Sequence, residues 1–149
     1  TGLDVQWTKE GWLWKLEAIN RSGQEARYSA LTAGYEYTFV GLIGAADIGV
    51  LTEYHFDERG KGGAAPFDND VFAGTRLALN DAQSTDLLAG VARDLDTGAR
   101  LINVEASRRI GERWKASIEA RFFAGTPSKD PSFALRADDY VELSMARYF

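Results

Sequence analysis

Apolar and polar residues alternate along nearly the whole chain. Leu3, Val5 and Trp7 alternate with Asp4, Gln6 and Thr8 up to a turn at Lys9, Glu10 and Gly11. Successive side chains on a strand point to opposite faces, so this spacing predicts a strand with one apolar face. The second run sets Trp12, Trp14, Leu16 and Ala18 against Lys15 and Glu17, before a polar turn near Ser22 and Gly23. The third runs from Ser29 to Phe39 without a break in phase, with Tyr35, Tyr37 and Phe39 on one face and Glu36 on the other. After Gly41 and Gly44 the phase restarts: Ile48, Val50, Thr52, Tyr54 and Phe56 oppose Asp47, Gly49, Leu51, Glu53 and His55. The glycine- and proline-containing stretch from Asp57 to Asn69 must then be a loop.

Four more runs and a second long loop complete the chain. Val71, Ala73, Thr75, Leu77 and Leu79 oppose Phe72, Gly74, Arg76 and Ala78, and an Asn80-Asp81 turn follows. Thr85, Leu87, Ala89 and Val91 oppose Asp86, Leu88, Gly90 and Ala92. Beyond Asp96-Thr97-Gly98, Ile102, Val104 and Ala106 oppose Asn103, Glu105 and Ser107. Past Gly111, Trp114, Ala116, Ile118, Ala120 and Phe122 oppose Lys115, Ser117, Glu119 and Arg121. The loop from Ala124 to Ala137 leads to the last run, where Val141, Leu143, Met145 and Phe149 oppose Tyr140, Glu142, Ser144, Ala146 and Tyr148. No stretch sustains a helical period, so the expected class is all-β with nine strands.

A soluble sandwich also has apolar and polar strand faces, and three features favour a transmembrane barrel. Strands of about 10 residues, at about 3.3 Å per residue and about 45° tilt, span roughly 23 Å, close to the apolar band of a membrane barrel. Connections near 8–11, 40–46, 80–84 and 109–113 are mostly shorter than those near 20–28, 57–69, 94–100 and 124–137, the asymmetry expected of periplasmic turns and outer loops. Aromatic residues also gather at both strand ends. Trp7, Trp12, Trp14, Trp114, Tyr37, Phe39 and Phe149 fall at the short-turn end of the apolar face, and Tyr54, Phe56 and Phe122 at the other, as two girdles would.

The phase is also the less costly one. A one-residue slip would turn Glu36, Glu53, Glu105, Glu119 and Glu142 to lipid. As read, Arg147 is the one charge within the nine apolar faces, and it lies at the membrane edge. Extending the phase past the strand ends reaches Arg27, Arg93 and Arg108, also at the edges, where long basic side chains can turn toward water.

The final run, Tyr140 to Phe149, ends on a phenylalanine. It resembles the closing strand of bacterial outer-membrane β-barrel proteins. The resemblance implies an antiparallel up-and-down barrel in the outer membrane, with lipid and the barrel-assembly machinery as partners, the latter reading Tyr140–Phe149. Barrels of that kind have even strand numbers and both termini in the periplasm. Nine strands therefore imply either a missing upstream strand, making this the C-terminal part of a larger barrel, or eight closing strands with Leu3 to Thr8 outside the wall. The regular alternation of the first segment favours the larger barrel.

Composition narrows the classes further. At 149 residues with net charge −5 and pI near 4.9, the chain lacks a basic footprint for nucleic acid. It has no cysteine, so disulfide frameworks and thiolate metal sites are excluded. No run of about 18 apolar residues exists, which excludes helical spans but not a barrel. The chain starts at Thr1 without a leader, as a mature form or a fragment would.

The inward face should carry Lys15, Glu17, Glu36, Asp47, Glu53, His55, Arg76, Asp86, Glu105, Lys115, Glu119, Arg121 and Glu142, with Asp4 beside them. In a wide barrel this is a charged pore lining; in a narrow one, a packed network of paired charges. The leading expectation is a passive pore for small polar solutes, and a packed-lumen anchor or scaffold is an alternative. A further alternative is a lipid-modifying or hydrolytic enzyme using His55, the one histidine, with Glu53 two residues away and a hydroxyl such as Ser117 or Ser144 from another strand. No cofactor or metal is expected. Asp57, Glu58, Asp68, Asn69 and Asp70, like Asp94 and Asp96, lack the spacing of a calcium loop and read as solvated acids. GKGG lacks the spacing of a phosphate-binding loop. Gly34, Gly49, Gly74 and Gly90 should face inward and leave room for large neighbours such as Phe72.

Overall fold

The computed structural model describes residues 1–23, 26–62, 67–128 and 130–149; Gly63 of the GKGG run and Pro66 lie outside them. Nine strands follow in order: β1 (Gly2–Lys9), β2 (Trp12–Arg21), β3 (Tyr28–Ile43), β4 (Ala46–Asp57), β5 (Asn69–Ala78), β6 (Asp86–Asp94), β7 (Arg100–Ile110), β8 (Trp114–Ala124) and β9 (Tyr140–Arg147). Each pairs antiparallel with the next, giving one up-and-down sheet in the order β1 to β9. There is no α-helix among the described residues, only short 3-10 turns at Gly60–Gly62 and Pro131–Leu135. The sheet does not close: β1 and β9 are its edges. β1 pairs with β2 along all of its length, from Gly2 opposite Ile19 to Lys9 opposite Trp12, so Leu3 to Thr8 is part of the sheet.

Turn chemistry sets the pairing. Between β1 and β2, Glu10 and Gly11 both have positive φ, 50° and 85°, the backbone of a two-residue turn whose twist matches its strands. Between β3 and β4 the register shifts between Phe39 and Ile43, and Gly41 adopts φ 64° there. That irregularity makes β3 longer than the Ser29–Phe39 run expected from phase alone. Connections at one end are 10–11, 44–45, 79–85 and 111–113, and those at the other are 22–27, 58–68, 95–99 and 125–139; the three shortest are at the first end and the two longest, 58–68 and 125–139, at the second.

Side chains divide between two faces, and neither face makes a core. The buried apolar residues among those described are Tyr28, Ala46, Ala92, Ala99 and Ala120, and no large side chain is fully buried. Register aligns Ile48, Leu77, Leu87, Ala106, Ile118 and Leu143 in one row across six strands. That face is half-buried over β5 and β6 and more open on either side: Val50 is 37% exposed, Ile118 36% and Leu143 77%. Its short-turn end carries a continuous aromatic cluster. Trp12 and Trp14 stack at 5.5 Å, Trp12 meets Tyr37 at 4.6 Å, and Tyr37 meets Phe39 edge-on at 4.6 Å. Tyr35, 5.2 Å from Trp14, joins this group.

Candidate functional site

On the opposite face the polar residues line up across strands. Arg76, Leu88, Glu105, Glu119 and Glu142 occupy one row, and Asp86, Ser107, Ser117 and Ser144 the next. Three glutamates thus stand in direct register on β7, β8 and β9, an arrangement that costs stability because like charges face each other. Glu119 is partly neutralised by Arg121 at 3.2 Å and accepts from the Tyr140 hydroxyl. Glu105 accepts from Asn103 at 2.9 Å, whereas the Glu142 side chain makes no hydrogen bond or ion pair among the described residues.

These rows surround a cavity of about 580 Å³ lined by Glu36 of β3, Arg76, Asp86, Glu105, Lys115, Glu119 and, from β9, Glu142. Residues of β3 and β9 can share one cavity only if the sheet curls, with its polar face inside. Ser117 and Ser144 also line it, 3.1 Å apart and bonded to each other. They are not brought to His55. Asp47, at the short-turn end, accepts from Gly41 N at 2.8 Å and Asn80 Nδ2 at 2.9 Å and so acts as a turn clasp.

His55 sits in a separate recess of about 230 Å³ with Glu17, Thr32 and Phe67. Its Nδ1 lies 3.2 Å from Thr32 Oγ1 and its Nε2 3.7 Å from Glu53 Oε2, while the Phe67 ring stacks on it at 5.5 Å. The hydroxyl at His55 is therefore a threonine of β3, directly opposite in the ladder. Thr32 is within hydrogen-bond distance of the imidazole, whereas Glu53, at 3.7 Å, is not and contributes only its nearby charge.

The long-loop end holds a second cluster. Asp57, Asp68, Asp70 and Asp94 are buried, so the expectation of solvated loop acids fails for them and holds for exposed Glu58 and Asp96; Asp130 is buried beside them. Burial of a carboxylate requires partners. Asp57 takes both branches of the Arg59 guanidinium, which also lies 3.8 Å over the Tyr28 ring. Asp70 accepts from the backbone N–H groups of Asp68 and Asn69. Asp94 accepts from those of Asp96 and Thr97, and Asp130 from Thr97 Oγ1 at 2.6 Å. Asp70 and Asp94 face each other across β5 and β6, and Lys61 answers this concentration of charge by bonding Asp94 and, at 2.7 Å, Asp68. Burial lowers the affinity of the Lys61 amine for its proton, but the bonds to Asp68 and Asp94 outweigh it and hold the amine above the usual lysine range.

Asp68, Asp70 and Asp94 have ligand oxygens within 4.8 Å of one another, a spacing that suits a hard cation. The Lys61 ammonium supplies the positive charge at that point. The cluster therefore fastens loops: Lys61 ties 58–68 to β6, Asn69 reaches Asp96 at 2.8 Å, and Thr97 ties 95–99 to Asp130 at the cap of Pro131–Leu135. No single-sequence signal pointed to this cluster, because its members come from different connections and from the ends of three different strands.

No protein-family model matches the chain, and neither a curated protein nor a solved structure is significantly similar to it.

Proposed function

We propose that the sheet is wall of an outer-membrane β-barrel that passes small polar solutes, cations ahead of anions. The observation that supports this reading is the inversion of faces: large apolar side chains are exposed on β1 to β4 and on β7 to β9, and the polar face surrounds the cavity. Water-soluble monomers rarely expose a contiguous apolar patch beyond about 300–600 Å². A hydrocarbon environment would cover such a face without a second protein layer, and backbone groups paired between strands satisfy the bilayer's demand for internal hydrogen bonds. The aromatic cluster at the short-turn end then lies at headgroup level, where amphipathic rings favour the interface.

Cation preference follows from the lining. Glu36, Asp86, Glu105, Glu119 and Glu142 outnumber Arg76 and Lys115 around the cavity. A lumen with this charge balance attracts cations and repels anions at close quarters. Bilayer recordings on the complete native polypeptide test the reading. A conductance whose reversal potential favours cations, and whose preference declines with salt, is expected. No conductance, or an anion-selective pore, rejects it.

A further inference from the structure

We propose that a cavity at the long-loop end binds a small organic monocation, an alkyl- or arylalkylammonium, whose N–H groups are received by the Asp70 carboxylate. This goes beyond the pore reading and concerns a different cavity. The space has a volume of about 160 Å³ and lies on the polar side of β5 to β8, where register puts Asp70, Ala92, Leu101 and Phe123. Phe67, stacked on His55, and Leu135, at the end of the turn that Asp130 caps, complete the apolar walls. Arg100 also borders the space but is one residue out of phase with Leu101, so its side chain belongs to the opposite face.

Three carboxylates line the cavity, and one oxygen among them is free. Asp94 accepts from Asp96 N and Thr97 N through Oδ1 and from Lys61 through Oδ2. Asp130 accepts from Ser132 through Oδ1 and from Thr97 through Oδ2. Asp70, only 5% exposed, uses Oδ2 for the N–H groups of Asp68 and Asn69, and its Oδ1 accepts nothing among the described residues. No fully buried side-chain oxygen among these residues lacks a partner, so Oδ1 must keep a trace of accessible surface, and this cavity is the space that Asp70 lines. Charge points the same way. Oxygens of Asp68, Asp70 and Asp94 lie within 4.8 Å of one another, yet the Lys61 ammonium bonds Asp68 and Asp94 and leaves the Asp70 charge without a cation.

The walls decide which cation fits. A hard metal ion needs six or more oxygen ligands, and Phe67, Ala92, Leu101, Phe123 and Leu135 present carbon to the space. An ammonium gives its donors to one carboxylate and its carbon body to the apolar walls, and aromatic rings attract organic cations at close range. A cavity of about 150 Å³ with apolar walls takes one benzene ring, so the ligand has about six to eight non-hydrogen atoms.

Calorimetric titration of the native protein in detergent with benzylammonium tests this, with the heats of empty micelles subtracted. Saturable binding with a Kd of about 1 mM or tighter is expected, and benzyl alcohol, of the same shape without the charge, should bind at least about tenfold more weakly. Pentylammonium should bind at least about tenfold more tightly than methylammonium, and tetrabutylammonium, too large for the space, should not bind. These comparisons need no variant to fold. Asp70→Asn, which keeps the shape and removes the charge, should weaken benzylammonium at least about tenfold and leave benzyl alcohol unchanged. Bound benzylammonium should also slow amide exchange in 67–70 and 130–135. Equal affinity for the amine and the alcohol, displacement of the amine by Ca²⁺, slowed exchange confined to other segments, or no saturable binding would each overturn the proposal. Conductance plays no part in these readouts, so failure of the pore reading and failure of this one are told apart.

Discussion

The ring of Phe72 lies over the backbone of Gly90, across the β5–β6 pair, in the space a side chain at position 90 would need. A Cβ at Gly74 would likewise meet the ring at 2.9 Å. The two glycines are a floor for one aromatic side chain on the polar face.

Gly90→Ala should therefore destabilise the protein by about 1–3 kcal/mol, the usual cost of forcing an extra carbon into an occupied site. Urea unfolding in lipid or detergent measures it. Adding Phe72→Leu to Gly90→Ala should recover part of the loss; equal effects with and without Phe72 would show that the ring is not the obstacle.

Strand faces were legible in the sequence because each side chain's face depends only on odd or even position. A period of two survives any error in where a strand starts. Cross-strand partners needed more. Ile43 pairs with Ala46 around the β3–β4 turn, and extending that register would put His55 opposite Gly34. The shift between Phe39 and Ile43 moves the ladder by two residues and puts His55 opposite Thr32, so the hydroxyl partner was hidden while His55 and Glu53 were not. The Lys61 cluster was hidden for another reason. Lys61 lies 33 residues before Asp94, on a connection that has no periodicity to read, and Asp94 is at the very end of β6.

Lys61→Met should loosen the long-loop end. Losing a charge-assisted hydrogen bond costs about 1.5–3 kcal/mol, and here it also leaves Asp70 and Asp94 facing each other without a cation. Faster exchange of the Asp96 and Thr97 amides would report it locally. The proton linkage has a definite sign. The folded amine binds its proton more tightly than the unfolded one, so Lys61 contributes stability below about pH 10.4 that is lost as pH rises through its higher folded value. The difference between wild type and Lys61→Met should shrink on alkaline titration.

Acid acts at the opposite end of the sheet. Asp81 accepts from Thr85 N and Thr85 Oγ1, both at 2.8 Å, and these bonds, with Arg108 at 3.4 Å, hold its carboxyl below the usual aspartate range. Its contribution is present above about pH 3.9 and disappears as pH falls through the lower folded value. Asp81→Asn should therefore accelerate amide exchange in 79–85 at neutral pH and make little difference in strong acid. A constant difference across both conditions would exclude this linkage.

His55→Ala separates a lining histidine from a catalytic one. On the pore reading the variant keeps conductance and has the same lipid-ester hydrolysis as the parent. A fall in hydrolysis of about 10²-fold or more, the scale of a lost acid–base group, would instead assign Thr32, His55 and Glu53 to catalysis. Thr32→Val should then abolish the same activity, since the hydroxyl nearest His55 is its own.

Glu142 offers the sharpest test of selectivity because it faces Glu119 across the β8–β9 pair and has no ion-pair partner among the described residues. Removing its charge relieves a repulsion of about 0.2–1 kcal/mol, so Glu142→Gln should leave stability unchanged or raise it slightly. The same change takes one negative charge from the cavity wall and should lower the cation-to-anion permeability ratio in bilayer recordings at low salt. Glu119→Gln should behave differently. Glu119 also accepts from Tyr140 and pairs with Arg121, so its neutralisation frees a guanidinium and should lower cation preference more than Glu142→Gln does, at some cost in stability. At about 1 M salt, where the Debye length is about 3 Å, both variants should approach the parent. Equal ratios for parent and variants at low salt would remove the glutamate row from the conduction path.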